Sequence, residues 1–323
     1  MMPVFSKIVH KIGSSAPARI IISRSKATSL PGFRSIPIYD VVMFFISQVK
    51  TVGMTERASA IAYNFFMAIP PAIIFLFTLI PFFPITQQIQ DELFGLIKDV
   101  IPGEKDNSVL IDFLKDFINN PRNGLLSLGF VLSMFFSSNA IMGIMRSFDK
   151  NYIGFRKRTG FQKRIIALKI TFVLFIIVFA CILLLIGRGT VLKVFGIENA
   201  TLISIIVNAR WLVIIFLFFA CISYIYRHAP AVDKKWPLIN PGSILATALM
   251  LVLTLLFSWW VSRFGNYNQV YGSIGTVLIL MVLIFINSLI LLIGFELNVS
   301  INSLKKIADE RKDSPADGTD QSI

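Results

Sequence analysis

The sequence predicts an all-α, polytopic membrane protein with six transmembrane helices, and three observations predict it. First, no Asp, Glu, Lys or Arg occurs in 58–90, 123–145, 170–187, 211–226, 236–262 or 264–295. Second, 55% of the 323 residues are hydrophobic and the mean hydropathy is +0.73, whereas a soluble domain alternates polar and apolar faces. Third, the basic residues are biased by loop. The segments 1–57, 144–164, 227–241 and 298–323 hold 22 Lys and Arg, against 8 in 84–122, 188–210 and at Arg263. Lys169 sits just inside the third span. Basic loops stay in the cytoplasm, so both termini are expected there.

Five of the six stretches hold an apolar core long enough to cross a bilayer, which takes about 20 residues. The fourth, Trp211 to Tyr226, is short; it becomes adequate if it starts near Ile205 and Arg210 snorkels to the headgroups. The net charge of +13 then reads as topology and as contact between inner basic loops and anionic lipid headgroups, with no nucleic-acid partner. Seven of the 18 acids lie between Asp91 and Asp116, in the first outer loop, which is consistent with this orientation. An oligomer is compatible with the sequence and not specified by it. Cys181 and Cys221 fall inside spans without a CxxC partner, so they are expected as buried free thiols rather than a disulfide framework.

Six spans and their loops account for nearly the whole chain and leave no second soluble domain. The organisation is a disordered basic cytoplasmic tail over 1–37, a six-helix domain over 38–303 and a disordered cytoplasmic tail over 304–323. The first tail has Arg, Lys and Ser but no acid, which suits a transit peptide or a cytoplasmic tail; the latter is the preferred reading. From Ile38 to Lys50, apolar Ile38, Val41, Val42, Phe45, Ile46 and Val49 recur at helical spacing among polar residues, predicting an amphipathic helix in the inner interface.

Span 1, about 59–83, contains Pro70-Pro71 near its middle, with Pro81 and Pro84 at its outer end. Mid-helix prolines free the carbonyls of Phe66 and Met67, which lipid cannot satisfy. The result is either a broken helix of the transporter kind or a kink packed against neighbours. In the first outer loop, Ile89, Leu93, Leu96, Ile97 and Val100 predict one short helix, and Val109, Leu110, Phe113, Leu114, Phe117 and Ile118 a second. Span 2, about 124–145, carries small-residue rows Gly129, Ser133, Ser137 and Asn139, Gly143, Ser147, which permit close helix approach. Ser137, Ser138 and Asn139 point in several directions, so at least one should face a partner helix or a cavity. Spans 3 and 4 are nearly featureless and expected to face lipid. Span 5 runs to about Ser262. Trp211, Trp259 and Trp260 fall at the outer boundary, and Tyr224, Tyr226 and Trp236 at the inner one, as aromatic belts do. Span 6, about 273–296, encloses Asn287-Ser288.

Glu296 is the only acid in the last turns of any span, near the inner boundary. A mid-membrane charge costs about 2.5–3.5 kcal/mol, less near the interface. Arg57 and Arg146 are expected at the same depth, making an ion pair across helix ends the simplest role and proton coupling through Glu296 the functional alternative. Asn64, Asn139 and Asn287 each need partners away from water; they either bond to one another or line a substrate path. The only histidines are His10 and His228, and no HExxH, CxxC, GxSxG or P-loop occurs. No catalytic residue, metal ligand or cofactor is therefore expected.

These landmarks resemble the YihY/BrkB family of bacterial inner-membrane proteins. The matching stretches are Arg57 to Pro71, Phe136 to Tyr152, Pro230 with Trp236 and Pro241-Gly242, Tyr267, Tyr271 to Ser273, and Gly294 to Asn298. The resemblance covers roughly 40–303 and implies six helices in the cytoplasmic membrane. Some members are linked to serum resistance, and one branch looks like a transporter of lipopolysaccharide precursors. A ribonuclease label has also been attached to the family, and the missing ligand residues argue against it here. The expected function is a transporter or flippase-like protein for an amphiphilic or anionic, lipid-like substrate. Its substrate path would involve Asn64, Pro70, Pro71, Ser137, Ser138, Asn139 and Asn287. A scaffold that only packs its polar residues is the alternative, and a membrane enzyme a third.

Overall fold

A computed structural model describes residues 23–33, 36–51, 53–79, 123–149, 152, 155–186, 210–264 and 273–313. Among these, the structure is helical: α1 (Ile38–Thr51), α2 (Met54–Leu79), α3 (Asn123–Phe148), α4 (Gly160–Ile186), α5 (Arg210–His228), α6 (Pro241–Phe264) and α7 (Ser273–Asp313), preceded by a short turn of helix over 23–27. A single antiparallel bridge, Phe155 to Val232, is the only β pairing among the described residues. Within them, three helices hold spans long and apolar enough to cross a membrane: Ser127–Phe148, Pro241–Trp260 and Val277–Glu310.

Helix starts follow from local chemistry. Thr159 and Gln162 form a reciprocal capping box before α4, with Gln162 N donating to Thr159 Oγ1 (3.3 Å) and Thr159 N to Gln162 Oε1 (3.2 Å). Asn240 caps α6: Ser243 N donates to Asn240 Oδ1 (2.8 Å) and Asn240 N to Ser243 Oγ (3.3 Å), while Pro241 takes the first helical position, where no N–H is needed. Gly53, at φ +61°, supplies the left-handed residue between α1 and α2.

Six helices close into a ring in chain order. α2 packs on α3, α3 on α4, α4 on α5, α5 on α6, α6 on α7, and α7 returns to α2; α1 lies against α7. One buried cluster gathers Ala58 and Ile61 of α2, Ile144 and Phe148 of α3, Ala167 and Ile170 of α4, Ile225 and Tyr226 of α5, Ala246 of α6, and Leu292 and Phe295 of α7. The starts of α2, α4 and α6 thus meet the ends of α3 and α5 at one end of the bundle, so successive helices run in opposite directions.

Two backbone approaches set the ring's spacing. A Cβ on Gly242 would lie 2.1 Å from the Gly294 carbonyl oxygen, and one on Gly294 would lie 2.6 Å from that of Gly242. α6 and α7 therefore cross backbone to backbone, as small residues allow. At the α2–α3 contact Gly143 faces Asn64, whose Nδ2 would stand 3.0 Å from an added Cβ.

Several expectations differ from what is found. Of the two alternatives for Pro70-Pro71, the broken helix is the one not found, since α2 continues through both; adjacent prolines remove N–H donors but tolerate helical φ. α7 runs past Ser303 to Asp313, because Lys305 with Asp309 and Lys306 with Glu310 sit at helix-supporting spacing despite their polarity. Part of 1–37 is ordered: Phe33 and Ile36 are buried against Val41 and Ile301. α5 is not a plain lipid-facing helix, since Ser223 and Tyr226 are buried. Tyr226 and Trp236 belong to the core, at 0% and 2% exposure, rather than to an interfacial belt; position near a helix end does not reveal which way a ring points. Cys221 is half-buried and not in a disulfide. The two outer-loop helices, Pro81, Pro84, the 188–208 loop, Tyr267 and Tyr271-Gly272 lie outside the described residues.

Gly242→Ala and Gly294→Ala should each lower the thermal unfolding temperature of the detergent-solubilised protein, by overpacking worth about 1–3 kcal/mol. Gly124, with nothing within 4 Å of an added Cβ, is the control; Gly124→Ala should be neutral or stabilising by up to about 1 kcal/mol. Equal melting of all three would contradict the close crossing.

Candidate functional site

The ring is stoppered at its packed end by aromatic rings around Phe295. Phe148 stacks on it at 3.8 Å and 5°, and Tyr152, Phe155 and Trp236 surround it at 5.7–6.3 Å. Such pairs add about 0.5–1.5 kcal/mol each beyond burial. Tyr226, behind Phe148, donates its hydroxyl to the Leu291 carbonyl at 2.6 Å and pins α5 to α7. The segments after α3 and α5 clasp each other over this stopper. Arg156 N donates to Ala231 O (2.7 Å), Arg158 Nη1 and Nη2 donate to the carbonyls of Ala229 and Pro230 (3.0 and 2.9 Å), and Arg156 pairs with Asp233.

Beside Phe295 lies a buried charge cluster. Arg57, at the start of α2, donates from Nη1 to Glu296 Oε1 at 2.7 Å, and Tyr152 donates its hydroxyl to the same oxygen at 2.6 Å. Glu296 is 0% exposed and Arg57 7%. Among the described residues the cluster is incompletely satisfied: Arg57 Nε and Nη2 and Glu296 Oε2 are buried without a hydrogen-bond partner. Three more buried oxygens lack partners on consecutive helices of the ring: Ser223 Oγ on α5, Thr247 Oγ1 on α6 and Asn287 Oδ1 on α7. Buried polar atoms are normally paired, so these six are exceptions.

A second polar network locks α6 to α7. Asn298 Nδ2 donates to Asn240 Oδ1 (2.6 Å), and Gly242 N donates to Asn298 Oδ1 (2.9 Å). A small cleft opens beside it, lined by Gly32, Trp236, Asn240, Asn298 and Asn302.

The residues singled out from the sequence are placed as follows. Arg57 and Glu296 are together. Arg146 is not with them: it is exposed, and its Nε donates to the Met142 carbonyl at 3.3 Å, because its position on α3 faces away from α7. Asn64 and Asn287 donate to carbonyls one turn back on their own helices, Ala60 (2.7 Å) and Leu283 (2.9 Å). Asn139 accepts from Arg164 of α4. The three amides therefore do not bond to one another. Ser138 is fully buried and donates to Phe135 O at 2.7 Å. Ser137 is half-buried, Pro71 half-buried and Pro70 exposed. Tyr152 and the Asn240–Asn298 pair were missed; each lies in an ordinary-looking segment, and its partner is remote in the chain.

Burial, then the charge and hydrogen bond of Glu296, raise the Tyr152 hydroxyl well above its ordinary value of 10.0. Its proton therefore stays on at neutral pH. Burial lowers His228 below 6.5; its Nδ1 lies 3.0 Å from the Tyr224 carbonyl, so the neutral ring donates there. Among the described residues, no group of three or more His, Cys, Asp or Glu could hold a metal ion.

The family model for the virulence factor BrkB matches residues 45–319. This chain belongs to the BrkB family. The BrkB-family chain is 28% identical over 258 residues to the ribonuclease-like protein YfkH of Bacillus subtilis, covering 79% of this chain and 92% of YfkH. It is 22% identical over 286 residues to a UPF0761 membrane protein of Histophilus somni, covering 85% of this chain and 94% of that relative. To a UPF0761 membrane protein of Azotobacter vinelandii it is 24% identical over 258 residues, 78% of this chain and 60% of the relative. No solved structure matches it. With its apolar helices, it is a membrane protein of this family.

Breaking the buried pair from either side, by Arg57→Met or Glu296→Leu, should cost about 3–5 kcal/mol, and the double variant should recover much of that loss. Thermal unfolding of the four proteins measures it; additive losses would show that the two side chains do not interact. The raised Tyr152 value means its stabilising contribution is complete below pH 10 and declines as pH rises toward its folded value. Tyr152→Phe should therefore flatten the fall of melting temperature above pH 10.

Proposed function

We propose that this protein is a six-span, multi-pass protein of the cytoplasmic membrane, with both termini inside, that moves an anionic, amphiphilic, lipid-like substrate. The observation that carries the reading is the ring itself. Six helices in chain order enclose a buried charge cluster and three unpaired polar oxygens, and one end is stoppered by aromatic rings. Polar atoms without partners in a lipid-immersed wall are costly and mark pathways. The orientation is supported by contact between segments assigned to the same side: Arg156 and Arg158 on 229–233, and Arg57 on Glu296. In this reading α1, with Val42, Met43 and Ile46 exposed beside buried Val41, lies in the inner interface. The inner basic loops contact anionic headgroups, and the remaining spans come from α2, α4 and α5.

A specific observation favours a second reading, a scaffold without transport. Asn64, Ser138 and Asn287 donate back to their own helices, as packing residues do. The ribonuclease-like name of YfkH suggests a third, hydrolysis of RNA.

The purified protein, reconstituted in liposomes holding a fluorescent anionic lipid, should move that lipid between leaflets faster than empty liposomes do. Absence of movement in both directions, with and without a proton gradient, rejects transport. Thiol labelling of single cysteines at Lys234 and Lys157 in intact cells should fail unless the inner face is exposed; labelling from outside overturns the orientation.

A further inference from the structure

The charge cluster at Glu296 balances in charge but not in hydrogen bonds. A guanidinium offers five N–H donors in one plane. Arg57 uses Nη1 on Glu296, while Nε and Nη2 are buried and unpaired. Those two nitrogens form the edge that grips two oxygens of a phosphate or sulfate in parallel. Glu296 mirrors the deficit: Oε1 accepts from both Arg57 and Tyr152, and buried Oε2 accepts from nothing. A pair built for stability alone would have these positions filled.

Among the described residues, the titratable groups facing this point are few. α2 presents Arg57, and the segment after α3 presents Tyr152. α5 presents Tyr226, whose hydroxyl is engaged on Leu291. α6 presents Gly242 and Ala246 near Gly294, and α1 packs Val41 beside Leu297 and Ile301; none of these titrates. Arg146 is exposed and Arg164 is bound to Asn139. Tyr152 keeps its proton at neutral pH, and the second oxygen of Glu296 is the acceptor left open beside it.

We propose that Arg57 and Glu296 form a proton-linked oxyanion site, in which the Nε/Nη2 edge of Arg57 takes two oxygens of a phosphodiester or similar tetrahedral anion while Glu296 Oε2 takes a proton. The proton comes from solvent and forms an O–H bond at Oε2. The carboxylate charge it cancels is replaced by that of the anion, so a singly charged anion leaves the cluster's net charge unchanged. Neither event is favourable alone. An anion beside ionised Glu296 is repelled, and a neutral Glu296 without an anion leaves Arg57 uncompensated in a buried setting. Anion and proton therefore bind together. The inference rests on the reading that an anionic amphiphile crosses this ring, and it names the coupling.

The test uses the full-length protein in a neutral, phosphate-free detergent, with two singly charged probes that do not titrate near neutrality: sodium methyl sulfate, and short-chain phosphatidylglycerol. Calorimetry at about pH 5.5 and about pH 8 gives affinity, and a pH indicator in weak buffer gives proton uptake. One proton should be taken up per anion, and binding should tighten on acidification by at most about tenfold per pH unit. Glu296→Gln, which mimics the protonated acid, should bind with little pH dependence and no proton uptake. Arg57→Lys, which keeps the charge and loses the edge, should weaken binding about tenfold or more, as loss of one charge-assisted hydrogen bond implies. Methyl sulfate binding identifies a site for free oxyanions; phosphatidylglycerol binding without methyl sulfate binding identifies a lipid headgroup site. Binding by neither probe, or proton uptake that persists in Glu296→Gln, overturns the proposal. Lipid movement that survives in Glu296→Gln with an unchanged pH profile overturns it while leaving transport standing. Proton-linked binding without lipid movement does the reverse.

Discussion

Arg57 and Glu296 close the ring, and the rest of the arrangement depends on that closure. They belong to its first and last helices, α2 and α7, separated by almost the whole chain. Each would be prohibitively placed alone, since a buried charge without its partner is among the most costly features a protein can hold. Together they leave one arrangement of α2 against α7 far better than any shifted by a turn. Tyr152 adds a third element to the same oxygen, so the end of α3 is fixed by the same point.

Packing around that point explains the neighbouring residues. Phe295 precedes Glu296 on α7, so fixing one fixes the other, and the rings of Phe148, Tyr152, Phe155 and Trp236 gather on it from three separate segments. The Gly242–Gly294 crossing lets α6 come close enough for Asn240 and Asn298 to bond. Without a hydrophobic effect between helices in lipid, such contact and hydrogen bonding are what hold spans together.

Membership in the BrkB family places these features in a group of membrane proteins whose names differ: one relative is called ribonuclease-like, others only membrane proteins. The buried cluster offers physical grounds for choosing among such readings. Among the described residues it leaves two guanidinium nitrogens and one carboxylate oxygen unpaired inside a closed ring of helices, the feature on which the transport proposal rests.

The sequence alone determined the all-helical class, the apolar helices and the isolation of Glu296 as an acid at the end of an apolar run. Those follow from composition and from the absence of charges over long runs, properties set by the solvent around each segment. The starts of α4 and α6 are local too, since Thr159–Gln162 and Asn240–Ser243 lie three residues apart, but their capping bonds emerge only in the structure. Only the tertiary structure decided that Arg57 rather than Arg146 meets Glu296, that Tyr152 joins them, and that Tyr226 and Trp236 face inward. A partner far along the chain is chosen by the rotation of one helix against another, and a depth estimate carries no information about rotation. The same limit left Pro70-Pro71 open between a broken helix and a packed kink, since the outcome rests on helical geometry over the whole of α2 rather than on the two residues.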